Sequence, residues 1–242
     1  MDAVTSSPRI AFVTGASSGI GRAVARRLAT DGHRVVAAAR RVELLDELAA
    51  SVDGVEPCEL DVTDLDAVRA AVATTVERHG RLDVFVANAG VMPLSRLDAG
   101  LTDQWNQMID VNVRGLLHGI AACLEPFREQ GGGHFVTIAS IGAHGVTPTA
   151  AVYCGTKYAA WAITEGLRLE SPPEIRVTTV SPGVVESELA DTITDSDARQ
   201  AMSEYRRHAI PPSAIADAVA FAVSQPPEVD VNEIVVRPVR QR

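Results

Sequence analysis

The chain is short of several things that would give it away at once. Cysteine is scarce: Cys58, Cys123 and Cys154 stand far apart or in dissimilar contexts, form no C-x-x-C pair and offer no disulfide framework. That usage fits a reducing compartment, so a cytoplasmic location is expected. No run approaches the ~18 consecutive apolar residues of a membrane span. The opening MDAVTSSPR lacks the apolar centre of a signal peptide, so no membrane association is expected. Positive charge is in deficit: 22 Lys and Arg against 31 Asp and Glu leave a net charge of −9, which discourages nucleic-acid binding. No His, Cys and Asp residues cluster with metal-ligand spacing, so no catalytic metal is expected. Nor does a Pro/Gly/Ser-rich linker divide the chain, and residues 1–242 read as a single domain. Hydrophobic residues at 46% and charged residues at 22% exclude a disordered or collagen-like class.

What is present is an alternation. Apolar runs such as IAFVT, RVVAAA, VEPCEL, LDVFVAN, HFVTIAS and IRVTTVS are separated by segments of helical period, from about Gly19 to Asp31 through about Thr149 to Glu170. The strand runs are apolar on both faces, as expected when helices cover both sides of a parallel sheet. The fold class is therefore α/β, a doubly wound parallel sheet of Rossmann type with about seven strands. Residues 1–8 read as a flexible arm. Thr63 with Asp66 three positions later resembles a capping box, Ser213 precedes the run AIADAVAFAV, and Gly80 follows a helix ending at His79. The glycines at 131–133 read as a helix stop. Between about 185 and 212 the pattern loosens into a charged amphipathic segment after a strand's carboxyl end. It is either a lid over a ligand or a solvated helix pair.

TGASSGIG, residues 14–21, follows the first strand and opens the first helix. Gly15, Gly19 and Gly21 would permit a tight turn, close approach of a pyrophosphate and close packing of helix on sheet, with helix N–H groups facing the phosphates. The second strand ends in AAARR, where NAD-binding units usually carry an acidic side chain for the ribose 2′-hydroxyl. Arg40 and Arg41 suit a 2′-phosphate instead, so NADP(H) is the expected cofactor. A solvated helix start is the alternative for these arginines, more credible for Arg41 than for Arg40.

YCGTK, residues 153–157, places Tyr153 and Lys157 one helical turn apart on a common face. A free phenol, with pKa about 10, is a poor base at neutral pH, and a nearby ammonium favours the phenolate. Four separated segments then fall into order: TGASSGIG, ANAG at 87–90, Ser140 with YCGTK thirteen residues on, and SPG at 181–183. Together they resemble the short-chain dehydrogenase/reductase family in its compact form, from Arg9 to near Val236. The wording of GLTDQWNQMIDVNVRGLLHG and VNEIVVRP is most similar to its branch of 3-hydroxy acid and serine dehydrogenases and clavulanate-type aldehyde reductases.

The resemblance implies roles residue by residue. Tyr153 would be the general acid/base, Lys157 would lower its pKa and hold the nicotinamide ribose, and Ser140 would orient the substrate carbonyl. Asn112, in DVNVRG, would support a water-linked proton path to the lysine. Asn88, Ala89 and Gly90 would lie along the adenosine side, Asp61 and Val62 at the adenine ring, and Pro182, Gly183 and Val185 beside the nicotinamide. Ser17, Ser18 and Ile20 join the glycines in the cofactor set. Ser187 stands where the family usually has a carboxamide-binding threonine, and a serine hydroxyl can make the same bond. The implied reaction is hydride transfer between nicotinamide and a carbonyl or secondary alcohol, and the implied assembly a homotetramer or a dimer. A non-catalytic NADP(H) sensor, an NAD(H)-using enzyme, and a lyase or epimerase on the same scaffold are the alternatives. His144 reads as solvated, with a place in the pocket lining as the alternative, Cys154 as packing, and RPVRQR as a solvated tail, although the resemblance also allows this end a place at a subunit contact. Met92, Trp105, Trp161 and Met202 read equally as pocket or core.

Overall fold

Valine, isoleucine and alanine crowd the strands because helices cover both faces of the sheet they form. The computed structural model describes residues 8–241, so the expected arm falls, apart from Pro8, outside the described residues. In chain order the elements are β1 (Ile10–Thr14), α1 (Gly19–Thr30), β2 (Arg34–Ala39), α2 (Val42–Ser51) and β3 (Val55–Glu59). There follow α3 (Leu65–His79), β4 (Val84–Ala87), α4 (Thr102–Ile109), α5 (Gly115–Glu129), β5 (Gly133–Ile138) and α6 (Ala151–Glu170). The chain closes with β6 (Ile175–Pro182), α7 (Ser196–Tyr205), α8 (Ser213–Ser224) and β7 (Glu233–Val236). All seven strands are parallel, in the order β3-β2-β1-β4-β5-β6-β7. Winding moves outward from β1 to β3, then reverses to β4 on the other side of β1. Such a reversal opens a crevice at the carboxyl ends of the two strands.

One side of the sheet packs Val24 and Leu28 of α1, Leu45 of α2, and Ile215 and Val219 of α8. The other packs α3, α5 and α6 around Phe12, Phe85 and Phe135, which pair in register across β1, β4 and β5. Their rings stack with centroids 5.3 Å apart at both steps. Gly119 lets α5 lie on this ladder, since a Cβ there would come within 2.7 Å of the Phe85 ring. The edge strands depart from the two-faced apolar expectation: β3 and β7 alternate in burial because each has a single strand neighbour and less cover. Pro57 is tolerated in β3 for the same reason, as an edge position needs no donor on its open side.

Two local expectations are corrected. The residue capping α3 is Asp64, whose side chain accepts from the Ala67 N–H at 3.0 Å, whereas the Thr63 hydroxyl donates to Asp61. Ser213 is itself the first residue of α8, after Pro212. Gly80 does terminate α3, in the left-handed conformation at φ 75°. Between α4 and α5 the helix widens into a π-helical turn, Asp110–Arg114, and that extra residue per turn carries Asn112 into the interior.

Candidate active site

A cleft of about 780 Å³ opens at the carboxyl ends of the strands, where the winding reverses. Its floor at one end is the glycine turn. Gly15 and Gly19 adopt φ of 65° and 53°, open to glycine and strained for other residues. Gly21 is needed for space, because a Cβ would sit 2.3 Å from the Gly15 carbonyl oxygen and 2.4 Å from Asn88 Nδ2. Asn88 fastens this turn to β4, donating to the Thr14 and Gly15 carbonyls at 2.9 and 3.3 Å. The Thr14 hydroxyl accepts from the backbone N–H groups of Asn88 and Ala89. Sequence reasoning missed Thr14, which reads there as one more strand residue.

Every residue expected at the cofactor lines this cleft except Gly21, which shapes it from behind. The glycine turn at the N-terminus of α1, with Ser17 and Ser18 beside it, offers donors that could hold a pyrophosphate. Asp61 accepts from the Thr63 N–H and hydroxyl; burial opposes ionisation, but those bonds and the Arg40 charge hold its carboxyl below the usual range. Both arginines line the cleft and both are exposed. Arg41 folds over the glycine turn, its NH2 donating to Ser17 and Ser18 at 3.0 and 2.9 Å and its NH1 to Glu188 at 2.8 Å. Arg40 is exposed on the rim.

At the centre of the cleft α6 presents Tyr153 and Lys157 as its period requires. Nζ of Lys157 stands 5.9 Å from the Tyr153 ring centroid and donates to the Ile138 carbonyl at 2.9 Å. Ser140, just beyond β5, accepts from the Gly142 N–H at 3.0 Å and faces Tyr153, whose phenol it favours in the ionised form. Asn112 grips the Val91 backbone at both ends, Oδ1 accepting at 2.9 Å and Nδ2 donating at 3.0 Å, and reaches Thr156 at 3.1 Å. Behind these side chains is a cavity of about 10 Å³ bordered by Asn112, Lys157, Thr14 and Thr137.

The expectation that the ammonium holds the phenol low is not met in this geometry. Burial pushes Tyr153 up to about 12, outweighing the Ser140 hydrogen bond, and pushes Lys157 down to about 8. Both shifts have the same cause, since removal from water penalises the charged form of either group. A consequence can be measured without any ligand. The folded pKa of Lys157 lies below its unfolded value of 10.5, so the folded chain binds the proton more weakly. Its burial penalty is therefore complete below about pH 8 and fades as pH rises toward 10.5. Lys157→Met is expected to melt higher than the natural chain at neutral pH, with the difference shrinking across that window in paired thermal melts. A difference independent of pH would sink the assignment.

The far wall of the cleft comes from the segment after β6. It runs through a helical turn at Glu188–Thr192 into α7, and a short parallel bridge between Val185 and Ile210 ties its two ends. Its apolar underside, including Leu189, Ile193 and Met202, packs with Met92, Leu94 and Cys154 around Tyr153. Thus Met92 and Met202 border the pocket, whereas Trp161 is partly exposed on α6 and Trp105 is not in the lining. Cys154 packs as expected.

Two expectations fail here because partners distant in sequence intervene. His144 is not simply solvated: Nε2 lies 2.9 Å from the Glu233 carboxylate and 3.2 Å from the Ser181 hydroxyl, with Trp161 edge-on to the ring. Nor is RPVRQR a free tail, since the Gln241 side chain accepts from the Val184 N–H at 3.0 Å and donates to the Tyr205 hydroxyl. Ser187 caps the helical turn, accepting from the Leu189 N–H at 3.4 Å.

A parallel sheet with a glycine turn at its reversal point and a tyrosine–lysine pair in the same cleft defines a dinucleotide-type oxidoreductase architecture. Residues 9–198 match the short chain dehydrogenase family, and the chain belongs to it. It is 45% identical over 238 residues to an uncharacterized oxidoreductase of Staphylococcus saprophyticus, covering 96% of this chain and 97% of that one. Among solved structures it resembles an alcohol dehydrogenase from the archaeon Thermococcus sibiricus complexed with 5-hydroxy-NADP. That match has TM-score 0.87 and 30% identity, over 97% of this chain and 98% of the other. A closed form of serine dehydrogenase complexed with NADP+ matches at TM-score 0.89 and 29% identity, over 96% of each chain. Among the described residues no helix is long and apolar enough to cross a membrane.

Proposed function

We propose that the chain is an NADP(H)-dependent oxidoreductase that interconverts a carbonyl compound and the corresponding alcohol, with Tyr153 as its general acid/base. The observation that carries the reading is convergence: Tyr153, Lys157 and Ser140 meet in one cleft between a phosphate-binding turn and an apolar wall. When bound, the nicotinamide supplies or accepts the hydride, and all else falls to the chain. A phenol held near 12 stays protonated at neutral pH, which suits the donor role in reduction, because an alkoxide is a stronger base than a phenolate. Ser140 can donate to the same oxygen and stabilise charge as it develops. Lys157 sits where the proton leaving through Tyr153 can be replaced, and the small cavity against Asn112 has room for about one water on that path.

NADP(H) is favoured by two guanidinium groups and no carboxylate at the end of β2, in keeping with the cofactors named for the two solved relatives. The wall formed by Met92, Leu94, Leu189 and Met202 favours a neutral, largely apolar carbonyl compound. Two of the nearby polar groups are engaged, His144 with Glu233 and Arg206 with the Ser187 carbonyl. Residues 185–212 act as a lid, and a homotetramer or dimer pairs the α6 faces carrying Tyr158 and Trp161, both partly exposed. The test is NADPH oxidation against neutral aldehydes and ketones beside 3-oxo acids, with NADH in parallel, for the natural chain and for Arg40→Ala and Arg41→Ala. Turnover with NADPH, and arginine variants that weaken NADPH about tenfold while sparing NADH, are the expected results. Cofactor binding with no turnover on any carbonyl would point to a sensor.

A further inference from the structure

We infer that Glu188 is a cofactor-selectivity residue: its carboxylate occupies the Arg41 guanidinium that a 2′-phosphate would need, so NADPH must displace it and NADH need not. The inference rests on the reading of the cleft as an NADP(H) site and adds a residue from the opposite rim that works against that preference.

Four of the five N–H donors of Arg41 are engaged without a ligand. Nε and NH2 donate to Ser17 Oγ at 3.3 and 3.0 Å, NH2 donates to Ser18 Oγ at 2.9 Å, and NH1 donates to Glu188 Oε2 at 2.8 Å. Among the described residues Glu188 is the only anion paired with this guanidinium. The two residues are 147 apart in sequence, Arg41 at the start of α2 and Glu188 at the root of the lid segment, so their bond spans the cleft above the glycine turn. The lid root is seated on that turn: a Cβ at Gly19 would lie 3.3 Å from Ser187 Cβ. The Arg41 hydrogen bond, against slight desolvation and with help from Ser18, holds the Glu188 carboxyl below the usual range, and it is charged at neutral pH.

Carboxylate and phosphate compete for the same planar fork of donors. A 2′-phosphate arriving at Arg41 also meets a negative charge at contact distance, while a 2′-hydroxyl meets neither obstacle. The pair is half exposed, with 50% and 55% of the side-chain surfaces accessible, so its grip is weak and the displacement modest.

The experiment is direct cofactor titration, by NAD(P)H fluorescence and by calorimetry with adenosine 2′,5′-bisphosphate and 5′-AMP, on the natural chain, Glu188→Gln and Arg41→Ala. Glu188→Gln is expected to tighten NADPH and the bisphosphate about threefold to fivefold and to leave NADH and 5′-AMP unchanged. The gain should shrink with added salt. Equal changes for the two cofactors, no change, or weaker NADPH binding would each overturn the inference; the last would mean that Glu188 clamps the bound cofactor. Arg41→Ala separates this from failure of the site reading. If that variant loses discrimination for the 2′-phosphate while Glu188→Gln changes nothing, the competition is wrong and the NADP(H) site stands. If Arg41→Ala loses none, the assignment of Arg41 falls and the inference with it.

Discussion

Tyr153→Phe is expected to lower kcat for carbonyl reduction by about a thousandfold or more while leaving NADPH affinity nearly unchanged. The substitution removes one oxygen from a ring whose position is set by α6 and by apolar neighbours that the phenyl group still fills. On the proposed mechanism it removes the proton donor to the developing alkoxide, and neither neighbour replaces it, because Ser140 is a weaker acid and Lys157 is turned to the Ile138 carbonyl. The glycine turn and Arg41 lie elsewhere in the cleft, so the cofactor loses little. Steady-state kinetics beside a fluorescence titration decide it. Retained turnover would defeat the mechanism, and lost turnover with lost binding would show a structural lesion instead.

Gly21→Ala is expected to abolish measurable cofactor binding and to lower the melting temperature by several degrees, about 1–3 kcal/mol of overpacking in a domain of this size. The added methyl would lie 2.3 Å from the Gly15 carbonyl oxygen, which is backbone and has nowhere to go, and 2.4 Å from Asn88 Nδ2. Relief requires α1 to move off the sheet or Asn88 to release the Thr14 and Gly15 carbonyls, and either motion opens the glycine turn. Thermal melts and NADPH titration read the two effects separately. Ala at Gly32 is the control: nothing lies within 4 Å of a Cβ there, so its cost comes only from the left-handed φ of 92°. Normal stability and binding in Gly21→Ala would contradict the packing described for this turn.

Parts of the site were legible in the chain because their chemistry is local. The glycine turn declares itself by following one strand and opening one helix, and Tyr153 and Lys157 share a face because four residues make about one helical turn. Asn112 was legible only through resemblance: it lies in the π-helical turn between α4 and α5, where its side chain packs against Val91 and Thr156. The capping error at α3 has a similar origin, as Thr63 and Asp64 are both competent caps and the backbone path out of β3 chooses between them.

By itself, then, the sequence determined the alternation of strand and helix, the place of the glycine turn, and the Tyr153–Lys157 pair, since each follows from periodicity or spacing within one or two elements. Only the tertiary structure decided which arginine folds over the glycine turn, that Glu188 meets it there, that His144 is held by Glu233, and that Gln241 reaches back to Val184 and Tyr205. It also set the direction in which burial moves the pair, Tyr153 upward and Lys157 downward, because α6 carries both side chains in against the end of β5. These are contacts between segments tens to more than a hundred residues apart. Their partners are selected by the winding of the sheet and the packing of its helices, and no short-range pattern in the chain encodes them.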